Sequence, residues 1–142
     1  VGMAYSPPIV TILDSTKSAL TDYGQWAFLG GQCVLKVGTG DGSAACTVNE
    51  LELMLVVRYL TSEACLEINN LLKIPVAATS DGIPVAGSDI SSTGFIGTFT
   101  AIAPTEIGNA GTGITLVRQP TGCFSDSSVA GTYTFYHTLL SR

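Results

Sequence analysis

The stretch TSEACLEINNLLKIP, residues 61–75, decides the fold class that this chain is predicted to adopt. Thr61 or Ser62 can cap an α-helix at its N-terminus, and Pro75 ends it. One apolar stripe recurs at the i, i+1, i+4, i+7 and i+8 positions, formed by Ala64, Cys65, Ile68, Leu71 and Leu72. The other side carries Glu67, Asn69, Asn70 and Lys73. The pattern therefore predicts an amphipathic helix that carries Cys65 toward the core.

Two further helices are predicted upstream of this one. Residues 6–8, Ser-Pro-Pro, fit a helix start, and apolar residues follow at near-helical spacing up to Gly24. The β-branched run 9–12 leaves a strand as an alternative there. Residues 47–50 match the capping-box pattern that precedes many helices. The segment 51–59 after them is apolar almost all round, which fits a buried helix and equally a buried strand.

Strands are predicted mainly in the second half of the chain, at residues 93–102, 114–118 and 132–140, with one earlier candidate at 32–37. A helical first half and a stranded second half predict an α+β fold, in which N-terminal helices pack on a C-terminal antiparallel β-sheet. At 142 residues the chain fits a single domain, residues 1–142, and no repeat or interdomain linker divides it.

The composition favours a secreted or filament-forming protein. Only 12% of the residues are charged while 46% are hydrophobic, and the mean hydropathy is +0.41. Six basic residues stand against 11 acidic ones, giving a formal charge of −5. Because phosphate binding needs clustered cations and these six are scattered, nucleic acid is excluded as a partner. The longest apolar run, residues 53–57, is far shorter than the roughly 20 residues of a membrane span.

Four cysteines form an even set without the Cys-x-x-Cys spacing that is typical of zinc sites: Cys33, Cys46, Cys65 and Cys123. Two disulfides in an oxidising compartment are predicted, with four buried free thiols as the alternative. Three connectivities are possible. We favour Cys33–Cys46, which brackets a turn-rich segment, together with Cys65–Cys123, because Cys65 faces the core against which the strand after Cys123 must pack.

Catalytic chemistry has few candidates in this sequence. His137 is the only histidine, and it lies on a strand-like run with no Gly-x-Ser-x-Gly elbow elsewhere, so a structural role is predicted for it. Paired carboxylates occur at Glu50 and Glu52 and at Glu63 and Glu67, but the second pair has the i, i+4 spacing of a solvated helix face. We therefore predict that the chain is not an enzyme and has no catalytic residues.

Binding sites for ions and cofactors are also weakly indicated. The glycine-rich segment 38–42 lacks the Lys-Ser/Thr of a phosphate-binding loop and is predicted to be a turn. Asp81, Asp89 and Asp126 lie in predicted loops and could offer oxygen ligands to calcium, although no Asp-x-Asp-x-Asp spacing supports this. No metal and no cofactor are predicted. Four aromatic residues could stack on sugars but are more typical of a core: Trp26, Tyr133, Phe135 and Tyr136.

Cys65 lies within Ala64-Cys65-Leu66-Glu67-Ile68-Asn69-Asn70, and Cys123 lies within Gly-Cys-Phe ahead of the aromatic run 133–140. This combination resembles the globular heads of type IV pilin-like proteins, namely the minor pilins and the type II secretion pseudopilins. The resemblance covers residues 50–142. It implies that the late cysteine ties down the C-terminal region. It also implies a structural subunit of an extracellular or periplasmic filament.

The same resemblance implies partners and a membrane anchor. The partners would be other pilin-like subunits, and a hydrophobic N-terminal helix, absent from this sequence, would attach the subunit to the inner membrane before assembly. An exposed apolar patch is then expected near Ile9, Ile12 and Leu13, where neighbouring subunits or that helix would cover it. A carbohydrate-binding adhesin domain at a filament tip is the alternative. The choice among pilus, secretion pseudopilus and competence filament stays open.

Overall fold

A central strand organises the molecule. The computed structural model describes residues 10–38, 47, 49–86, 94–99, 105–108, 115–126 and 131–141. This part of the chain forms five strands and one α-helix: β1 (Trp26–Val34), β2 (Glu52–Leu60), α1 (Ser62–Leu71), β3 (Thr105–Ile107), β4 (Thr121–Ser125) and β5 (Tyr133–Leu140). Two short 3-10 helices, Val10–Ile12 and Ser15–Lys17, precede β1.

The five strands form one mixed sheet in the order β3-β1-β2-β5-β4. The pairs β1–β2, β2–β5 and β4–β5 are antiparallel, whereas β1 and β3 run parallel. Strand β2 therefore has a hydrogen-bonded neighbour on each side, and most of its residues are buried. A strand that is covered on both faces is expected to be apolar along its whole length, which explains the continuous apolar run in this segment.

The predicted fold class is wrong. The described residues are mostly β-structure in a mixed sheet, not N-terminal helices packed on a C-terminal antiparallel sheet. Residues 51–59 fitted a helix and a strand equally, and pairing with strands on both sides selects the strand. The predicted N-terminal helix is replaced by the two short 3-10 helices and by a bridge from Leu13 to Leu60. The β-branched residues of this segment lower its α-helix propensity, and only short 3-10 helices form there.

Other predicted elements have mixed outcomes. Helix α1 is confirmed, with Thr61 as its N-cap because the Thr61 side chain accepts a hydrogen bond from Ala64 N. Strand β5 is confirmed at 133–140. The short candidate at 32–37 overlaps the end of β1, which begins already at Trp26. Residues 115–118 form a turn, and 94–99 form a single bridge to Leu29, so neither is a regular strand.

Two apolar clusters lie on opposite faces of the sheet, as the alternation of side chains along a strand requires. Val56 belongs to the first cluster and its neighbour Val57 to the second. The first cluster also holds Leu29, Val34, Met54, Ile107, Leu116, Phe124 and Tyr136. The second contains residues of α1 and β4, among them Cys65 and Cys123. Helix α1 thus packs against the β4–β5 end of the sheet.

A bulge at the end of β2 positions α1. The register between β2 and β5 shifts between Val57 and Leu60, and Tyr59 has a φ of +64°, which is rare for an aromatic residue. Asp22 supports this backbone, because it accepts hydrogen bonds from the Tyr59 hydroxyl at 2.7 Å and from Arg58 at 3.3 Å. Just after the bulge, Leu60 bridges to Leu13, and α1 begins at Ser62.

Candidate functional site: the junction between the helix and the outer strand

The covalent contact between α1 and β4 is the disulfide Cys65–Cys123. Both cysteines are fully buried, and their Cα atoms lie 5.4 Å apart. The bond joins residues 58 positions apart in the sequence, so it links the middle of the chain to the β4–β5 hairpin. The predicted Cys65–Cys123 pairing is confirmed. Cys33 is also disulfide-bonded, but the predicted Cys33–Cys46 pairing lies outside the described residues because Cys46 is not among them.

Asn69 makes the second contact of this junction. Its Nδ2 donates to Cys123 O at 2.8 Å, and its Oδ1 accepts from Cys123 N at 2.9 Å. The side chain is only 3% exposed. In an antiparallel strand the N–H and C=O of one residue point to the same side, so those of Cys123 face away from β5. The Asn69 amide therefore occupies the place that a neighbouring strand would take at the outer edge of β4.

Sequence reasoning missed Asn69, because it fell among the polar residues opposite the apolar stripe. One signal could have found it. Asn69 lies four residues after Cys65, and residues at this spacing are neighbours on one helix face. A side chain that both donates and accepts, next to a predicted disulfide, is suited to the N–H and C=O of an unpaired strand edge.

The outer edge of β4 is covered at a second point. Ser125 N donates to Pro84 O at 2.8 Å, and Ala86 N donates to Ser125 O at 3.2 Å, forming a parallel bridge with the segment around Val85. Because alternate residues face the same edge, the outward positions of β4 are Thr121, Cys123 and Ser125. Two of these three positions are thus satisfied by partners that do not belong to a named strand.

His137 lies on β5 and pairs with Thr121 on β4. Its Nδ1 lies 2.6 Å from Thr121 Oγ1, which is a short hydrogen bond between a hydroxyl and an imidazole. Serine and threonine nucleophiles are activated by such a base when a third group orients the base. In the part of the chain that the structure describes, no acidic side chain bonds to His137. The pair forms a cross-strand contact between β4 and β5.

The acidic side chains considered as calcium ligands are separated or engaged. The Asp81 carboxylate accepts from Ile83 N at 3.1 Å and from the Tyr133 hydroxyl at 2.8 Å. Burial raises the pKa of Asp81, but these hydrogen bonds outweigh it and hold the pKa below its usual value. Asp126 is buried, and Asp89 lies outside the described residues. Among the described residues no group of three or more His, Cys, Asp or Glu is arranged to hold a metal ion.

The two predicted carboxylate pairs are also accounted for. Glu50 Oε2 accepts from Thr47 N at 2.6 Å, as in a capping box, although a strand follows it. Glu52 is fully buried in β2, where its Oε2 accepts from Val34 N at 2.9 Å. Its Oε1 has no hydrogen-bond partner among the described residues. Glu63 and Glu67 are exposed on α1.

Burial raises the pKa of Glu52 to about 7, although the Val34 N–H and the nearby Thr138 hydroxyl act to lower it. The Thr138 hydroxyl has no hydrogen-bond partner within the part of the chain that the structure describes. Burial also raises the pKa of Tyr136, and the charge of Glu52 raises it further. Glu52 is therefore a carboxyl group that the folded protein favours in its protonated form.

The four aromatic residues considered for sugar binding are engaged in the core. Tyr136 is fully buried, and its hydroxyl donates to Gln119 O at 2.8 Å. Trp26 meets Phe135 edge-on, with 6.4 Å between the ring centroids, and both pack against the second cluster. The Tyr133 hydroxyl is held by Asp81. Trp26, Tyr133 and Phe135 are only partly buried, so these contacts hold the three rings against the core without covering them fully.

Exposed apolar side chains occur elsewhere than predicted. Leu13 is buried and Ile12 packs against the second cluster, so the patch expected near Ile9, Ile12 and Leu13 is wrong for these two residues. Ile9 lies outside the described residues. The most exposed large apolar side chains are Ile96 at 89%, Leu71 at 74% and Val76 at 68%.

The described residues include no helix that is long and apolar enough to cross a membrane. The buried disulfide is compatible with an oxidising compartment, in which such bonds form and persist. Comparison of the chain with protein-family models, with curated proteins and with solved structures found no match.

Proposed function

We propose that the chain is the globular head of a structural subunit in an extracellular or periplasmic filament, of the type IV pilus or type II secretion pseudopilus kind. The observation that carries the proposal is the disulfide Cys65–Cys123. It fastens the helix in the middle of the chain to the β4–β5 hairpin, which is the connection that the resemblance to pilin-like heads implies. The proposal rests on this connection and not on the predicted N-terminal helices, which the described residues do not form.

The bonding of the reactive side chains supports a structural role. His137 bonds to Thr121, Asp81 bonds to Ile83 and Tyr133, and Asn69 bonds to Cys123. Each of these side chains connects two segments that are distant in the sequence or stabilises a turn. Catalysis instead needs a base aimed at a nucleophile or substrate, with a third group that orients the base.

The proposed location is outside the cytoplasm. Disulfides are rare in the cytosol of most organisms, because cellular reductants keep thiols reduced there. The proposed partners are other subunits of the same kind, and an apolar helix upstream of Val1 would hold the subunit in the inner membrane before assembly. The alternative of a carbohydrate-binding adhesin would use Trp26, Tyr133 and Phe135, which are partly buried and pack against the second cluster.

Filament incorporation in the source cells tests the proposal directly. An epitope-tagged wild type is expected in the fraction of surface filaments released by shearing, and along filaments in immunogold electron micrographs. A Cys65→Ser/Cys123→Ser variant should be depleted from this fraction, whereas the surface variant Asn70→Ala should match wild type. A wild-type protein that remains cytoplasmic, or that is secreted only as a free monomer, would refute the subunit role.

A further inference from the structure

Glu52 lies at the start of β2, and the end of β1 extends past it. The last pair between the two strands is Gln32 with Glu52, and Val34 lies two residues beyond that pair. Leu35 N donates to β3, at Ile107 O, so the N–H of Val34, one residue earlier, points to the other side. The Glu52 carboxyl accepts this N–H at 2.9 Å. A side chain therefore takes the position that β2 backbone takes elsewhere along β1.

The same end of β1 also holds β3. Strand β3 lies at the edge of the sheet and pairs with β1 at residues 32–34. We call residues 32–34 and 105–107 the β1–β3 end. A bulge separates this end from the regular β1–β2 pairs at 26–29, because two glycines, residues 30–31, stand against Leu53 alone. Since glycine backbone has few steric restrictions, the β1–β3 end can separate at the bulge while the other β1–β2 pairs persist.

The Glu52 carboxyl is closed off from water. The side chain is fully buried, and no described residue bonds to its Oε1. The Thr138 hydroxyl lies nearby and is buried as well, again with no partner among the described residues. A protonated carboxyl group is tolerated in such a place, but a charged carboxylate loses its hydration there. Ionised Glu52 therefore favours an opening that lets water reach Oε1.

The groups around the carboxyl do not offset a negative charge. Within the described residues, the groups that act on this charge or respond to it are the Val34 N–H, the Thr138 hydroxyl and the Tyr136 phenol, and none of these is a cation. The neighbouring strands also carry two titratable side chains, Glu106 in β3 and His137 in β5. Both lie on the opposite face of the sheet, because their partners in register point to that side.

We propose that Glu52 is a pH-sensitive switch for the β1–β3 end, in which the protonated carboxyl holds this end on the sheet and the ionised carboxylate releases it. Release exposes Val34 and Ile107, which are otherwise fully buried. Because this exposure costs free energy, the released form is a minor state whose population rises with pH. The junction of α1 with β4 stays closed, since the disulfide Cys65–Cys123 holds it. The inference goes beyond the proposed filament role and does not depend on it.

The size of the effect follows from the pKa of Glu52 in the two states. Burial raises this pKa to about 7 in the closed form, and it returns to the ordinary value of 4.5 when water reaches the carboxyl. The closed form binds the proton more tightly, so its advantage is fully present below pH 4.5 and is lost as pH rises through 7. Between pH 5 and pH 8 the ratio of open to closed protein should rise about 70-fold.

Amide hydrogen exchange resolved by NMR tests the proposal. The N–H groups of Val34 and Leu35 report on the β1–β3 end, and their exchange, corrected for the intrinsic effect of pH, should become about 70-fold faster from pH 5 to pH 8. Low urea concentrations should not affect it, because a local opening exposes little surface. Exchange as slow as that of the most protected amides in β2 and β5, with the same urea dependence, would show that the opening is global and would overturn the proposal.

Two variants assign the effect to one carboxyl group. In Glu52→Gln the corrected exchange of Val34 should not change with pH, because no charge can form at this position. Glu50→Gln is the matched control, since it removes a neighbouring carboxyl that is only partly buried, and it should keep the wild-type profile. If both variants respond as wild type does, or if both lose the response, Glu52 is not the switch and the proposal is wrong.

If Glu52→Gln does not fold, the wild type alone decides the question. In protein labelled with 13C in its glutamate side chains, the Glu52 carboxyl should titrate near pH 7, and the corrected exchange of Val34 should level off at the same pH. A Glu52 carboxyl that titrates near its ordinary value, or Val34 exchange that levels off at a different pH, would overturn the proposal.

Discussion

Two buried polar side chains, Asn69 at the edge of the sheet and Glu52 at its centre, are stabilised in opposite ways. The Asn69 amide uses both its oxygen and its nitrogen on one residue, Cys123. One oxygen of Glu52 accepts a hydrogen bond from Val34 N, and no described residue bonds to its other oxygen. A neutral side chain is buried at low free-energy cost when its donors and acceptors are paired. A carboxyl group is buried at low cost only in its protonated form.

The strongest way to break the edge junction is to remove its covalent bond. We expect Cys65→Ser/Cys123→Ser to lower the free energy of unfolding by about 2–5 kcal/mol, because the unfolded chain regains the freedom of a long loop. Urea titration followed by circular dichroism measures this. Hydrogen exchange should show β4 and β5 loosening before the rest of the sheet. An unchanged urea midpoint would contradict the expectation.

Asn69→Leu should have an effect of the same order. It leaves the Cys123 N–H and C=O buried without partners, at about 1–3 kcal/mol for each group. The disulfide remains in this variant, so the protein should still fold. Asn70→Leu is the matched control, and as a surface change it should stay within about 0.5 kcal/mol of wild type. Similar losses for both variants in a thermal melt would show that the amide bonds contribute little.

Glu52 gives a pH dependence of defined sign. Its pKa is raised from 4.5 to about 7, so the folded state binds the proton more tightly than the unfolded state does. The resulting stability is fully present below pH 4.5 and is lost as pH rises toward 7, for a total of roughly 1–3 kcal/mol.

The Glu52→Gln variant keeps a hydrogen-bond acceptor for Val34 N but has no titratable group at this position. Urea midpoints of this variant should therefore stay nearly flat between pH 5 and about 8, while those of wild type fall. Asp81 has a lowered pKa and contributes with the opposite sign, but only in more acidic solution. A wild type whose stability rises over the same interval would contradict the assignment.

The half-exposed pair Thr121–His137 should show the smallest effect. Thr121→Val removes one hydrogen bond that water can partly replace, so the loss should be about 0.5–1 kcal/mol. The protein should also lack hydrolase activity in a broad substrate screen. Activity that is present in wild type and absent in His137→Ala would show that this pair is catalytic instead of structural.

The structural features that could be predicted from the sequence are those that depend on residue periodicity within one segment. The stripe of α1 and its Thr61 cap were found because both are local patterns, and the Cys65–Cys123 bond followed from the direction of that stripe. The central strand β2 was ambiguous, because a segment that is apolar on every side has no period. Its assignment depends on β1 and β5 as neighbours, and these contacts are not local.

The candidate site was predicted in part for a similar reason. The disulfide was visible as two cysteines, but the role of Asn69 depends on the backbone of a residue 54 positions away. The buried position of Glu52 follows from strand pairing and the bulge in β1, neither of which a residue pattern in one segment reveals. Composition predicted a sparsely charged surface but not which apolar side chains remain exposed.

The sheet order also constrains how the chain can fold. Strand β2 pairs early with β1, its neighbour in sequence, but its other edge waits for β5, with Val57 and Phe135 as one of the pairs. Contacts over such separations slow folding, and an apolar strand with an open edge is prone to aggregate in the meantime. The time between synthesis of β2 and arrival of β5 is therefore the period of greatest exposure. A chaperone that shields an extended apolar strand would act most usefully then.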